Sequence, residues 1–386
     1  MFEITHNKKV LFGEGALAEI ENIVKGAKLG KLFIITYSKE APVLQDVLAA
    51  VNKAGAGAYV CDIVQDEPDL AVVDQLVALV KQENCDGVIA LGGGSVLDAA
   101  KAAAMIATNG ATAEEYQMQG RPITLPALPL IAIPTTAGTG SEATKVSVIY
   151  NPNNNLKKSF YSPYMIAEIV ILDPAVTLGM PGKVTAFTGI DALSHAIESY
   201  VSLNANVYTQ MYGLQAIKLI AKSITAAVND GSNVAARADM LYASYLAGVA
   251  LHAGIGLAHI IAQPMGGLYK IPHGEACSIF LPFSMEFNLD VCVKEYCEIG
   301  RALGLTLEGD TVQNAKATIA KVKELIASVN TATKLTPFLQ AAGASLDSEG
   351  ALDKTVEFVT QATGHIKCNP RVVDSAAIKD VISRAL

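Results

Sequence analysis

Apolar and polar positions follow two different periods along the first half of the chain. Short runs rich in β-branched residues stand at Leu32–Thr36, Ala58–Ile63, Gly87–Leu91 and Leu130–Pro134. Another, Ile169–Leu172, ends at Asp173-Pro174. Between them, Ala41–Ala54, Leu70–Gln82 and Val96–Ala107 place apolar residues at helical spacing. Strand–helix alternation of this kind predicts a mainly parallel sheet covered on both faces. After Met180-Pro181-Gly182 the β-rich runs nearly vanish. Ala186–Val201, Gln210–Ala227, Asn233–Ala250, Thr311–Val329 and Leu352–Gln361 read instead as helices, punctuated by Gly and Pro. The expected organisation is an α/β domain over 1–181 followed by an all-helical domain over 182–386.

Composition narrows the function classes. With 386 residues the chain has room for two or three domains of about 100–200 residues each. Hydrophobic residues make up 51% and charged residues 17%, a balance that disfavours disorder. A net charge of -8 would repel a polyanion, so no nucleic-acid partner is expected. The six cysteines, Cys61, Cys85, Cys277, Cys292, Cys297 and Cys368, form no CxxC pair. They read as buried reduced thiols in a reducing compartment, the cytoplasm. The N-terminus lacks the basic-then-apolar pattern of a signal peptide. Leu241–Tyr269 carries no Asp, Glu, Lys or Arg and is long enough to span a bilayer. It also holds His252, His259, Gln263, Pro264 and five glycines, so buried helices outside a membrane are the expectation.

Two constellations carry chemistry. The strand Gly87–Leu91 runs into Gly92-Gly93-Gly94-Ser95 and then into a helical pattern that contains Asp98. Glycines let the backbone approach a phosphate, and the new helix aims unpaired N–H groups and a positive dipole end at the anion. Taken alone, the segment also fits a tight turn with no ligand, and it is not a GxGxxG fingerprint. A second segment, Pro134-Thr135-Thr136-Ala137-Gly138-Thr139-Gly140-Ser141-Glu142, supplies hydroxyls at the same sheet edge, where open α/β sheets bind ligands. The other constellation lies in the helical half. Asp191 and His195 are four apart and share a helix face; His259 lies in another helical pattern, and His273 follows in Ile-Pro-His-Gly-Glu. One carboxylate and three imidazoles suit Fe²⁺ or Zn²⁺. Singly, each histidine also fits a hydrogen-bonded core position.

Together these motifs make the chain resemble the iron-containing (group III) alcohol dehydrogenases. The resemblance rests on GGGSVLDAAK at 92–101, PTTAGTGSEAT at 134–144, GIDALSHAIE at 189–198 and GLAHIIAQPMGGLYKIPHGEACS at 256–278, and it covers essentially the whole chain. It implies a Rossmann-like dinucleotide-binding domain and a helical metal-binding domain, in the architecture shared with dehydroquinate synthase. It implies hydride transfer between NAD or NADP and a small alcohol, diol or aldehyde. Metal ligands carry over onto Asp191, His195, His259 and His273, with Fe²⁺ the expected ion and Zn²⁺ or another divalent ion its alternative. Cofactor positions carry over onto Gly92, Gly93, Gly94, Ser95, Asp98, Thr135, Thr136 and Thr139. A homodimer or larger homo-oligomer is implied. Zinc-dependent glycerol dehydrogenase chemistry and a dehydroquinate synthase-type lyase are the alternatives; the lyase needs a basic substrate pocket that no Lys/Arg cluster near these residues offers.

The chain departs from the family pattern in three places. Many members carry a proton-relaying histidine four residues after the position of His259; here Gln263 stands there, and an amide does not titrate near neutral pH. His252, in Ala250-Leu251-His252 where members often have Phe-Asn-Asn, is the candidate relay, with water as the other. NAD-preferring members often end the second strand in Thr-Asp, whereas this chain reads Thr36-Tyr37-Ser38-Lys39. With that carboxylate missing, Ser38 and Lys39 are expected to receive a 2′-phosphate, so NADP(H) is expected to be accepted.

Overall fold

The structure is a computed structural model that describes residues 2–154, 156–346, 350–362 and 366–386. The chain divides into two compact units, Met1–Gly179 and Met180–Leu386, against the boundary near residue 181 read from the sequence.

The first unit is built on a six-stranded sheet in the order β1-β8-β5-β4-β2-β3. The strands are β1 (Lys9–Phe12), β2 (Lys31–Thr36), β3 (Gly57–Cys61), β4 (Gly87–Gly92), β5 (Leu130–Pro134) and β8 (Ile169–Leu172). All pair in parallel. The inner strands are apolar without alternation because helices cover both faces; β4 and β5 are buried at every residue. The covering helices are α1 (Ile20–Ala27), α2 (Pro42–Lys53), α3 (Leu70–Gln82), α4 (Gly94–Asn109) and the short α5 (Ala113–Met118). β2 lies between β3 and β4, so the chain first moves outward from β2 and then returns to its other side. That reversal opens a crevice at the carboxyl ends of β2 and β4, the place where such sheets bind ligands.

The parallel sheet agrees with the sequence reading, and three details differ. β3 stops at Cys61, two residues short of the expected end, because Asp62 turns its carboxylate to Lys39. The edge strand β1 escaped notice, being four residues long and half exposed. So did the antiparallel hairpin of β6 (Val146–Asn151) and β7 (Leu156–Tyr161), where two lysines break the apolar run.

The second unit is helical throughout its described residues: α6 (Gly182–Val201), α7 (Val207–Asn229), α8 (Val234–Ala250), α9 (Leu257–Tyr269), α10 (His273–Asn288), α11 (Val293–Ala302), α12 (Val312–Ser328), α13 (Thr336–Ala341), α14 (Ala351–Ala362) and α15 (Ser375–Ala385). α6 is buried on all sides from Gly189 to Val201 and packs against α7, α8, α9 and α10. A helix apolar all round belongs in the middle of its unit. The polar residues it carries there, Asp191, His195 and Glu198, therefore need partners. Among the described residues no single helix is long and apolar enough to cross a membrane. The uncharged stretch Leu241–Tyr269 is split between α8 with its following 3-10 turn and α9, which meet at 106°.

Candidate active site

In the first unit, α4 begins at Gly94, with Gly93 as its N-cap in extended conformation. The residue before the helix is thus a glycine whose N–H and neighbours face the open end of the sheet. The threonine segment closes over this turn. Thr135 N–H donates to the Gly92 carbonyl at 3.0 Å. A Cβ at Gly94 would lie 2.6 Å from Thr139 Cγ2, and one at Gly93 would lie 3.2 Å from Thr136 Cγ2. Only glycine lets these two loops touch, so Gly92–Ser95 and Thr135, Thr136 and Thr139 form one cradle at the carboxyl end of β4 and β5. Asp98 plays a different part from the one its position suggested. Its carboxylate accepts from Ser141 Oγ, from Val148 N–H at 3.0 Å and from the buried Lys101 ammonium at 3.1 Å. It pins the threonine loop and the hairpin in place. Beside them Glu142 is buried, and its Oε1 has no hydrogen-bond partner. Burial pushes its carboxyl up to about 7, against the pull of Lys101.

Ser38 and Lys39 follow the end of β2, where Thr36 pairs with Leu91 of β4, so they reach the same crevice. The sequence did not reveal their neighbour. Lys39 Nζ lies 3.1 Å from Asp62 Oδ1, and the Lys39 N–H donates to Asp62 Oδ2 at 3.3 Å. The carboxylate missing from the end of β2 is thus present at the end of the adjacent β3, paired with the lysine.

In the second unit, Asp191, His195 and Glu198 recur at i, i+4 and i+7 on α6 and share one face. α9 brings His259, and the first residue of α10 is His273. The approach of α10 is close: a Cβ at Gly274 would lie 2.2 Å from the Phe187 carbonyl oxygen of α6. Any larger residue would push His273 away. The His259, His273 and His195 Nε2 atoms then stand 3.4, 3.5 and 3.8 Å from one oxygen, Asp191 Oδ1. The His195 and His259 rings stack at 4.5 Å between centroids, and the His273 ring tilts against His259 at 5.4 Å.

These separations are what a cation between the groups requires. Ligands bonded at about 2.1 Å in a tetrahedron lie about 3.4 Å from each other, too far for direct hydrogen bonds among themselves. Accordingly Asp191 Oδ1 and His259 Nε2 are buried and without a hydrogen-bond partner. Burial by itself would raise the Asp191 carboxyl, but His195, His273 and His259 outweigh it and hold the group far below the usual carboxylate range. Positive charge is what the carboxylate calls for. The residues present therefore fit a divalent metal. His273 is the open side of the site, with 34% of its side chain accessible against 3% for Asp191 and His259.

Two participants escaped the sequence reading. Glu198 Oε2 lies 2.6 Å from His259 Nδ1, and its Oε1 accepts the Ala258 N–H at 2.6 Å. This carboxylate holds the proton on Nδ1 and turns Nε2 toward Asp191. Its signal was the third member of the Asp-x-x-x-His-x-x-Glu stripe. Cys277, one helical turn after His273, is buried with Sγ 3.7 Å from His273 Nε2. Among the described residues, donor atoms of Asp191, His259, His273 and Cys277 all lie within 4.8 Å of one another. Of the two relay candidates, Gln263 sits one turn beyond His259 on α9, half-buried. His252 sits in the 3-10 turn Leu251–Ala253 before α9, with its Nε2 buried.

Residues 7–174 match the iron-containing alcohol dehydrogenase family, and residues 185–386 match that family's C-terminal domain. The chain belongs to this family. As an iron-type alcohol dehydrogenase it is an oxidoreductase that uses a nicotinamide dinucleotide and a divalent metal. It is 38% identical to the probable alcohol dehydrogenase EutG of Salmonella typhimurium, over 97% of this chain and 92% of that one. A solved 1,3-propanediol oxidoreductase superposes with a TM-score of 0.93 at 30% identity, each chain covered in full. Sulfoacetaldehyde reductase from Bifidobacterium kashiwanohense, solved with NAD⁺, superposes with a TM-score of 0.89 at 27% identity, covering 100% of this chain and 98% of that one.

Proposed function

We propose that this iron-type dehydrogenase interconverts a small primary alcohol or diol and its aldehyde, with Asp191, His195, His259 and His273 holding the metal. The convergence of three imidazole nitrogens on one buried Asp191 oxygen carries this reading. A divalent ion there supplies Lewis acidity, polarising a carbonyl or stabilising an alkoxide oxygen. Glu198 fixes the ring of His259. His273, the accessible member, marks the side from which substrate arrives. Gln263 orients a hydrogen bond, His252 is structural, and water moves the proton. In the first unit Gly92, Gly93, Gly94 and Ser95 receive the pyrophosphate at the start of α4, with Thr135, Thr136 and Thr139 alongside. Asp98 positions that loop and does not touch the cofactor.

The test is His259→Ala and His273→Ala. Each is expected to lose bound metal and alcohol-dependent cofactor reduction while keeping its circular dichroism spectrum and cooperative unfolding. Full activity or full metal content in either variant overturns the ligand assignment. We further propose the cytoplasm as the compartment, a reading supported by six free thiols. A homodimer is supported by the exposed Val207 and Met211, one turn apart on α7. Sedimentation velocity at micromolar concentration checks the oligomer; a monomer there refutes it.

A further inference from the structure

We propose that Cys277 is itself a metal ligand, so that the site presents a mixed oxygen, nitrogen and sulfur donor set that favours zinc-like ions. The proposal rests on the reading that Asp191 and the histidines hold a cation, and it assigns that cation one donor more. Cys277 is fully buried on α10, one turn beyond His273 and on the same face. For bonds of about 2.3 Å to sulfur and about 2.1 Å to nitrogen, tetrahedral ligands stand about 3.6 Å apart. The His273 Nε2–Cys277 Sγ separation is 3.7 Å. The sulfur also lies within 4.8 Å of the donor atoms of Asp191 and His259, and Asp191 Oδ1 and His259 Nε2 are the buried atoms left without hydrogen-bond partners.

A cation sitting between Asp191, His259 and His273 is therefore within reach of the thiol. It binds the sulfur as thiolate, and the displaced proton passes to solvent. Thiolate is a soft ligand that selects zinc and its cobalt surrogate over hard oxygen-seeking ions. Five candidate donors for four positions leave His195, the one outside the mutually close set, as the ligand that yields when sulfur is bound.

The experiment loads the metal-free full-length protein with Co²⁺ under anaerobic conditions. The wild type is expected to show an intense near-ultraviolet sulfur-to-cobalt charge-transfer band, absent in Cys277→Ser and Cys277→Ala. Chelator competition should show the Zn²⁺ dissociation constant weakened roughly tenfold or more in Cys277→Ala, with Mn²⁺ affected far less. Bound Co²⁺ without that band in the wild type, or a band that survives in Cys277→Ala, overturns the thiolate ligand and leaves the metal site intact. Failure of the wild type to bind Co²⁺ at all overturns both. The wild-type spectrum decides even if a variant does not fold.

Discussion

Glu198→Gln isolates the carboxylate behind His259. Two donors face Glu198: the Ala258 N–H at 2.6 Å and, on the other oxygen, His259 Nδ1 at 2.6 Å. A carboxylate accepts from both. A glutamine of nearly the same shape has one accepting oxygen and one donating nitrogen, so either orientation leaves a donor facing a donor. A buried hydrogen bond to a charged group contributes about 1.5–3 kcal/mol. At about 1.4 kcal/mol per decade this weakens metal binding roughly 10- to 100-fold. Outer partners of metal-bound histidines cost about the same range when removed. The assay is competition with a calibrated chelator on the anaerobic metal-free protein, with apo thermal unfolding as the control for folding. A dissociation constant within about twofold of wild type in a folded Glu198→Gln would refute the idea that Glu198 orients the ligand.

Asp62→Asn should free Lys39 for a 2′-phosphate and raise the NADPH-to-NADH ratio of kcat/KM by up to about fivefold, the modest size expected of an exposed pair. An unchanged ratio would show that the pair lies outside the cofactor's reach. Glu142 gives a pH prediction. Its carboxyl titrates near 7 in the folded chain against 4.5 in the unfolded one, so its contribution is whole below pH 4.5 and is lost as pH rises through 7. Glu142→Gln lacks that loss. Its stability relative to wild type should climb by up to about 1.4 kcal/mol per pH unit between those values, read by urea unfolding at pH 5 and pH 8. A difference that does not vary with pH would place the proton elsewhere.

Much of this protein is written locally. The two hydrophobic periods specify a parallel sheet followed by helices, because a strand buried on both faces and a helix buried on one stripe each leave their own spacing. The glycine run after β4 and the Asp191–His195 pair are legible for the same reason, since neighbours in sequence remain neighbours on a turn or a helix. Lys39 and Asp62 lie on adjacent strands 23 residues apart, so nothing in the spacing joined them. Asp98 looked like a cofactor group until the hairpin, itself missed, was seen to occupy its oxygens. Glu198 and Cys277 were visible as residues, each a turn from a predicted ligand, yet only the crossing of α6, α9 and α10 makes one an anchor and the other a donor. Side chains from three helices meet where packing puts them. That distance is set by contacts such as Gly274 against Phe187, which no local pattern encodes.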